Sequence, residues 1–338
     1  MSGEIHLDPG ARAARRVRAH ARVVRQRRLA AVAALLLAGG GIATVIGVSS
    51  GGGDGGSASA GNGAGGKDAR AAKPAPPPEL PGGGRRLFPD YRVVAFYGSP
   101  RDPALGALGV GRLRSAVAKL KKQARGYAKK TRPALPCLEL ISTIATAAPG
   151  PTGNYRDHLP AKEIDRHLRE ARRAKALLLL DIQPGRTDFV SETKRLKKWL
   201  KEPDVGLALD PEWRIGPGQL PGKVIGSVSA REVNETSAYL ASLVKENNLP
   251  EKLFVLHQFT NDMVQNKELV RKRPGLATVF NVDGFGTQAA KLSKYKDFTS
   301  EAVRFKNGLK LFYEEDTGIF SPEQVMALTP RPDLVIYE

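Results

Sequence analysis

Residues 205–214 read "VGLALDPEWR". Five largely apolar residues, enough for a buried strand, end abruptly at Asp210, Pro211 and Glu212. Because side chains alternate along a strand, the two carboxylates are expected on the same face. They either border a solvated loop or form the polar end of a buried strand.

Apolar runs of this kind recur after residue 90 and alternate with amphipathic helical stretches. The runs lie at 92–98, 137–143, 176–182, 205–210, 253–259, 277–283, 309–315 and 334–338. Nearly continuous apolar strands predict burial on both faces, as parallel sheets require. Eight strands with helical crossovers in about 250 residues predict a (β/α)8 TIM-type barrel. A doubly wound open α/β sheet is the alternative.

The helical stretches carry their own signals. In 161–175 the residues Ile164, His167, Leu168 and Ala171 follow the spacing of one helix face. In 229–248, Ser229 is expected to cap the helix, since Glu232 follows three residues later.

The N-terminal third has a different composition from the barrel region. Residues 1–28 contain eight arginines and form a basic tail, whereas residues 29–48 contain no charged residue. Twenty such residues span about 30 Å as a helix, the thickness of a bilayer core. The positive-inside rule then predicts a cytoplasmic tail, a transmembrane helix or signal anchor, and an extracytoplasmic remainder. Cleavage near "SASA" (57–60), followed by secretion, is the alternative.

Residues 49–89 are rich in glycine, serine, alanine and proline, a composition typical of a disordered linker. The barrel domain is therefore predicted to span residues 90–338. Its eighth strand is the last segment of the sequence, and the linker is expected to cover the place of a final helix.

The carboxyl ends of the strands, where active sites of such barrels lie, carry many polar residues. The candidates are Tyr97, Glu139, Asp181, Gln183, Asp210, Glu212, Trp213, His257, Asn281, Asp283 and Glu314. Several carboxyl groups in one mouth force their pKa values apart, because burial and like charges both oppose ionisation. Glycosidic hydrolysis needs such a difference, with one carboxyl protonated and another ionised.

Asp210-Pro211-Glu212 resembles the acids that end the fourth strand in two groups of glycoside hydrolases. Chitinase-like family 18 has a D-x-D-x-E run there, and family 25 lysozymes have D-x-E. The resemblance implies that Glu212 is the general acid and that Asp210 orients an N-acetyl group of the substrate. Trp213 would stack on a sugar, and the other candidates would contact substrate. The chain departs from family 18 at Ala208, and "VVAFYGSP" lacks the first-strand aspartate of family 25.

Each candidate also has a structural interpretation. Asp210 precedes proline and could start a turn, and Glu212 could pair with Arg214. Asp181 could cap a turn, and Asp283 could belong to an Asp-Gly turn. Glu139 could be paired with Lys310 or with an arginine, and His257 could be a hydrogen-bonded core residue. The single cysteine, Cys137, is expected to be a small buried residue, because one thiol forms no internal disulfide.

Together these features predict a membrane-anchored, extracytoplasmic glycoside hydrolase of a bacterial envelope, acting on an N-acetylhexosamine polymer without a metal or other cofactor. A barrel that binds envelope glycan without cleaving it is one alternative. The other is a metal-dependent hydrolase that uses Glu139, Asp181, Asp210 and His257. The expected partners are an envelope glycan and the cytoplasmic membrane, through residues 29–48. Nucleic acid is not expected, because no known binding module is recognised in the sequence and the predicted export argues against it.

Overall fold

A computed structural model describes residues 76–300 and 304–338. The predicted basic tail, the predicted span 29–48 and most of the predicted linker lie outside the described residues. Within the described part of the chain, no helix is both long enough and apolar enough to cross a membrane.

Parallel strands close into a barrel, which confirms the predicted fold of this region. The described strands are β1 (Arg92–Gly98), β2 (Ala134–Ala145), β3 (Arg156–His158), β4 (Leu177–Ile182), β5 (Val205–Leu209), β6 (Val228–Ser229), β7 (Lys252–Gln258), β8 (Val264–Gln265), β9 (Leu276–Val282), β10 (Lys306–Leu311) and β11 (Leu334–Tyr337). Eight of them pair in the order β1-β11-β10-β9-β7-β5-β4-β2, and β2 pairs with β1 to close the ring. An open sheet is therefore excluded.

The remaining three strands lie outside the barrel. β3 pairs antiparallel with the end of β2, and β6 pairs with β8 in a separate two-stranded sheet.

The seventh barrel strand was predicted at 309–315, and this prediction is wrong by about three residues. β10 pairs with β9 from Lys306, opposite Val279, to Leu309, opposite Val282. The apolar residues at 309–312 suggested a later strand, because the first residues of β10 are polar or glycine. Glu314 therefore lies in the loop after the strand.

The two helices predicted from apolar periodicity, at 161–175 and 229–248, are present. The described helices are α1 (Leu113–Arg125), α2 (Ala161–Ala174), α3 (Phe189–Arg195), α4 (Lys197–Leu200), α5 (Ala230–Glu246), α6 (Gln288–Ser300) and α7 (Pro322–Met326). The predicted face of α2 is buried, including His167 and Ala171. The side chain of Ser229 accepts a hydrogen bond from the Glu232 amide and caps α5 as predicted.

Small and branched apolar side chains fill the interior of the barrel. They belong to one buried cluster that includes Val93, Ala95, Cys137, Leu179, Ala208, Val255, Val279 and Ile336. Within the strands that contribute to it, the cluster takes residues that alternate along the chain, as the alternation of side chains requires, and β10 contributes none. Cys137 is fully buried here, as predicted.

The N-terminal end of the barrel is closed by a segment that had been assigned to the linker. Leu80, Leu87 and Phe88 are buried and pack with the interior cluster. The amides of Leu87 and Phe88 donate hydrogen bonds to Glu251 Oε2 at 2.7 and 3.2 Å, just before β7. The predicted linker boundary at residue 89 is therefore too late, because composition hides the few apolar residues that anchor this segment.

Candidate active site

The carboxyl end of the barrel holds a layer of polar side chains directly above the apolar interior. Each of the eight strands, or the residue that follows it, contributes one member. The members are Tyr97, Glu139, Asp181, Asp210, His257, Asn281, Lys310 and Glu338, and we call this layer the polar ring. Seven of the eight residues are buried, and the side chain of Glu338 is 19% exposed.

His257 lies at the centre of the contacts within the polar ring. Its Nε2 atom is 2.8 Å from Glu139 Oε1 and 3.9 Å from Asp181 Oδ1. On the other side of the imidazole, Nδ1 is 3.2 Å from Asp283 Oδ2 and 3.2 Å from Asn281 Nδ2. Burial opposes the charged imidazole, but Glu139 and Asp283 outweigh it and raise the pKa of His257 well above its usual range.

Lys310 provides the second positive charge. Its Nζ atom lies 2.7 Å from Glu338 Oε2 and 3.3 Å from Asp283 Oδ2, and it sits 3.7 Å from the centre of the Tyr97 ring. Burial disfavours this charge, but Asp283 and Glu338 raise the pKa of Lys310 well above its usual range. The pKa of Asp283 is low despite its burial, because Lys310 and His257 stabilise the carboxylate.

Asp181 belongs to a short chain of hydrogen bonds with Tyr97 and Gln183. Tyr97 Oη donates a hydrogen bond of 3.4 Å to Asp181 Oδ2, and Gln183 Nε2 donates one of 3.0 Å to Tyr97 Oη. Burial and the negative charge of Asp210 raise the pKa of Asp181 well above its usual range. The Asp181 side chain therefore bonds to another member of the polar ring, Tyr97, rather than capping a turn.

Asp210 and Glu212 are separated by the end of their strand. β5 ends at Leu209, and residues Pro211–Trp213 form a single 3-10 turn. The prediction that both carboxylates lie on one strand is therefore wrong for Glu212, because Pro211 has no amide hydrogen to continue the ladder. Asp210 is buried, whereas Glu212 is half-buried in the turn.

The Asp210 side chain makes no capping hydrogen bond to this turn. Burial, partly offset by the positive charge of His257, raises the pKa of Asp210 to about 7, and the negative charge of Glu212 adds to the increase. A carboxyl group with this pKa is half protonated near neutral pH, as a general acid requires.

One structural interpretation is not supported: the hydrogen-bonding partner of Glu139 is His257 and not Lys310 or an arginine. Arg214 Nε lies 3.1 Å from Glu232 Oε1 at the start of α5, and a pair between Arg214 and Glu212 stays a prediction. For Asp283 a purely local interpretation is incomplete. Its Oδ1 atom accepts the Gly284 amide at 2.6 Å, but its Oδ2 atom contacts His257 and Lys310.

Glu314 and Trp213 lie away from the centre of the polar ring. Glu314 lines a cavity of 630 Å³ together with Tyr313, Val110 and Glu338. Because the fourth and eighth strands face each other across an eight-stranded barrel, this cavity borders the ring opposite Asp210. Trp213 is half-buried in the turn after β5.

Sequence reasoning missed the central place of Lys310 and did not select Glu338. A signal was available, since Leu334, Ile336 and Glu338 alternate along the last strand. The same alternation places Lys310 inward. Gly308 precedes it on the inner face, where a Cβ atom would lie 2.5 Å from Asn281 Oδ1. The glycine thus makes room for a member of the ring.

Three members of the polar ring could also bind a metal ion. Glu139, Asp181 and His257 each offer one ligand atom, and these atoms lie within 4.8 Å of one another. The arrangement can therefore donate and accept protons, hold charge at the barrel axis, or coordinate a cation.

No protein-family model matches the chain, and a search of curated proteins finds no match either. Solved structures with a similar course include Thermotoga maritima Cel5A in complex with cellobiose, at 9% identity and a TM-score of 0.42, covering 74% of this chain and 88% of that one. XEG5A, a GH5 xyloglucan-specific endo-beta-1,4-glucanase from a metagenomic library, is 10% identical with a TM-score of 0.39, covering 67% and 77%. A 2,3-dimethylmalate lyase is 10% identical with a TM-score of 0.39, covering 73% and 75%.

These likenesses concern the course of the chain and carry no argument about chemistry. The barrel itself is established by its strand pairing. The resemblance of Asp210-Pro211-Glu212 to families 18 and 25 stays a prediction.

Proposed function

We propose that this barrel hydrolyses glycosidic bonds in an N-acetylhexosamine polysaccharide, with Asp210 as the general acid and Glu212 as the second carboxylate. The observation that carries the proposal is the placement of these two groups. They follow one strand at the open end of the barrel, one of them buried and the other half-buried. Glycosidic cleavage needs two carboxyl groups with different affinities for a proton.

The burial of Asp210 supports its role as the protonated partner. A carboxyl group out of water retains its proton to higher pH than an exposed one, and the charge of Glu212 strengthens this effect. The family resemblance implies the reverse assignment, with Glu212 as the acid. The two assignments predict different consequences when each residue is replaced.

The biological setting is a further part of the proposal. The arginine-rich tail and the uncharged residues 29–48 support attachment to the cytoplasmic membrane, with the barrel outside. An envelope glycan is then the polymer that a tethered barrel can reach. Secretion after cleavage would leave the same substrate accessible.

The test measures new reducing ends from peptidoglycan and from N-acetylglucosamine oligomers, with the purified full chain. We expect hydrolysis by the wild type and a loss of at least about 100-fold in kcat with Asp210→Asn, because amide replaces the acid. Glu212→Gln is expected to lose a similar factor, whereas the exposed helix variant Glu235→Gln keeps full activity. Hydrolysis that survives Asp210→Asn but not Glu212→Gln would reverse the two roles.

The alternative without catalysis has its own outcome. If no reducing ends appear with any glycan, while the wild type binds the same oligomers in calorimetry, the barrel is a glycan-binding domain. That result would refute the proposed hydrolysis.

A further inference from the structure

Two buried carboxylate oxygens in the polar ring have no hydrogen-bonding partner among the described residues. They are Glu139 Oε2 and Asp181 Oδ1, and both residues are fully buried. A buried carboxylate oxygen without a partner is costly, because it has lost its hydration and gained nothing in return. Such atoms call for a bound species that supplies positive charge or a proton.

The formal charges of this region point to a cation. Five carboxyl groups lie in the ring or directly beside it, those of Glu139, Asp181, Asp210, Asp283 and Glu338. Two cationic side chains, His257 and Lys310, form ion pairs with them among the described residues. The ion pairs of Lys310 are with Asp283 and Glu338 rather than with Glu139 or Asp181.

The geometry around His257 fits a ligand of a metal ion, provided that the ion replaces the proton that Nε2 shares with Glu139. Its Nε2 atom faces Glu139 and Asp181, and its Nδ1 atom is 3.2 Å from Asp283 Oδ2. Histidine ligands are commonly oriented by a carboxylate that accepts a hydrogen bond from the nitrogen not bound to metal. Two ligands about 2.1 Å from one ion lie about 3.0 Å apart at the right angle of octahedral geometry and about 3.4 Å apart in the tetrahedral geometry of zinc. The observed 2.8 Å between Nε2 and Glu139 Oε1 needs only a small adjustment.

We infer that Glu139, Asp181 and His257 bind one divalent transition-metal ion, with Asp283 as the residue that positions the imidazole. A nitrogen donor with two carboxylates suits zinc or manganese better than calcium, which prefers a shell of oxygens. The site lies deeper in the barrel than Glu212, and metal binding does not depend on the proposed glycosidase function.

The test uses the full chain, freed of metal with a chelator, and titrates it with Zn²⁺ and Mn²⁺ in calorimetry. We expect one ion per chain and a higher Tm when it is bound, because binding to the folded state stabilises it. Glu139→Gln and His257→Gln are expected to weaken binding at least about 100-fold, and Asp283→Asn about 10- to 100-fold. A pulsed electron paramagnetic resonance spectrum of the Mn²⁺ protein should show coupling to one imidazole nitrogen.

His158→Gln is the matched control. His158 also contacts a carboxylate, with Nε2 2.8 Å from Glu192 Oε2, yet it is 30% exposed and belongs to no group of three ligands. Its replacement should leave the affinity and the nitrogen coupling unchanged. The inference is overturned if the wild type binds neither ion, if the spectrum lacks the nitrogen coupling, or if His158→Gln removes it. The wild-type spectrum decides the question even if a ring variant fails to fold.

Discussion

Asp210 is the residue at which function and stability are expected to oppose each other. Its pKa is raised from 3.8 to about 7 in the folded chain, chiefly by burial. The fold is therefore favoured by this group below pH 3.8, and the advantage is lost as the pH rises through about 7. At alkaline pH the ionised carboxylate remains buried at a cost on the order of 2–4 kcal/mol.

Asp210→Asn should consequently be more stable than the wild type at about pH 8.5 and nearly equal to it at about pH 4. Urea unfolding of both proteins with EDTA present, at the two pH values, measures the difference. A variant that is less stable than the wild type at alkaline pH would show that the carboxylate is stabilised there.

Replacing Gly308 on β10 tests how closely the polar ring is packed around Asn281. A Cβ atom at this position would lie 2.5 Å from Asn281 Oδ1, within the van der Waals contact distance. Gly308→Ala should lower the free energy of unfolding by about 1–3 kcal/mol, as overpacking does in cores. At Gly216 the nearest contact is 3.4 Å, so Gly216→Ala should change stability little. Equal unfolding curves for both variants would contradict this packing.

At the residue scale, alternation from the carboxyl ends of the strands was enough to select most of the polar ring. It identified Tyr97, Glu139, Asp181, His257 and Asn281 without any knowledge of contacts. It could not show that His257 lies between three carboxylates, since those come from strands far apart in the sequence. Glu212 was misplaced because alternation was extended through a proline.

At the scale of elements, Glu192 joins β3 to α3. Its carboxylate contacts Arg156 and His158 on β3 and Arg195 on its own helix. Burial by itself raises the pKa of Glu192, but the hydrogen bond from His158 and the charge of Arg156 outweigh it and lower the pKa to about 2. The stabilisation is complete above the unfolded pKa and is lost as the pH falls towards about 2.

Between about pH 6 and about pH 3, the free energy of unfolding should therefore fall more for the wild type than for Glu192→Gln, which has no carboxylate to protonate. The difference is on the order of 2–3 kcal/mol. Chemical unfolding across this range gives the two slopes. Glu235→Gln, which removes an exposed pair with Arg231, should follow the wild type. Parallel pH profiles for wild type and Glu192→Gln would refute the role of this contact.

The sequence predicted the long elements well and the irregular ones poorly. Helices α2 and α5 carry a strong apolar period and most barrel strands are apolar runs, so their positions could be predicted. β10 has polar residues and a glycine in its first half, and its pairing with β9 determines where it starts. The short strand β3 has no apolar signal, since its residues are Arg-Asp-His.

On the scale of the whole molecule, the segment before β1 completes the barrel. Leu87 is fully buried against the lower end of the interior cluster. Leu87→Ala should lower the free energy of unfolding by about 2–4 kcal/mol, because it leaves a cavity in a packed core. Leu269→Ala is the control, since that leucine is 61% exposed and should cost little. Thermal unfolding that places the two variants at the same Tm would contradict the assignment of this segment to the barrel.

The fold class followed from the number and spacing of apolar runs, because eight buried strands with crossovers have few other arrangements. The closure of the N-terminal end did not follow, since a few apolar residues in a glycine- and proline-rich segment give no periodic signal. At the opposite end, the sequence showed only that polar residues follow the strands. The ion pairs and pKa shifts among them depend on distances that the closed barrel sets.

The pH dependence of kcat/KM for N-acetylglucosamine oligomers tests the account most directly. The acid must be protonated and the second carboxylate ionised, so we predict a bell-shaped profile. Activity should fall at acidic pH, where Glu212 takes up a proton. It should also fall tenfold per unit above about pH 7, where Asp210, beside His257, Glu212, Lys310 and Asp283, loses its proton. A rate that stays level or rises between about pH 6 and about pH 9 would show that no buried carboxyl acts as the acid.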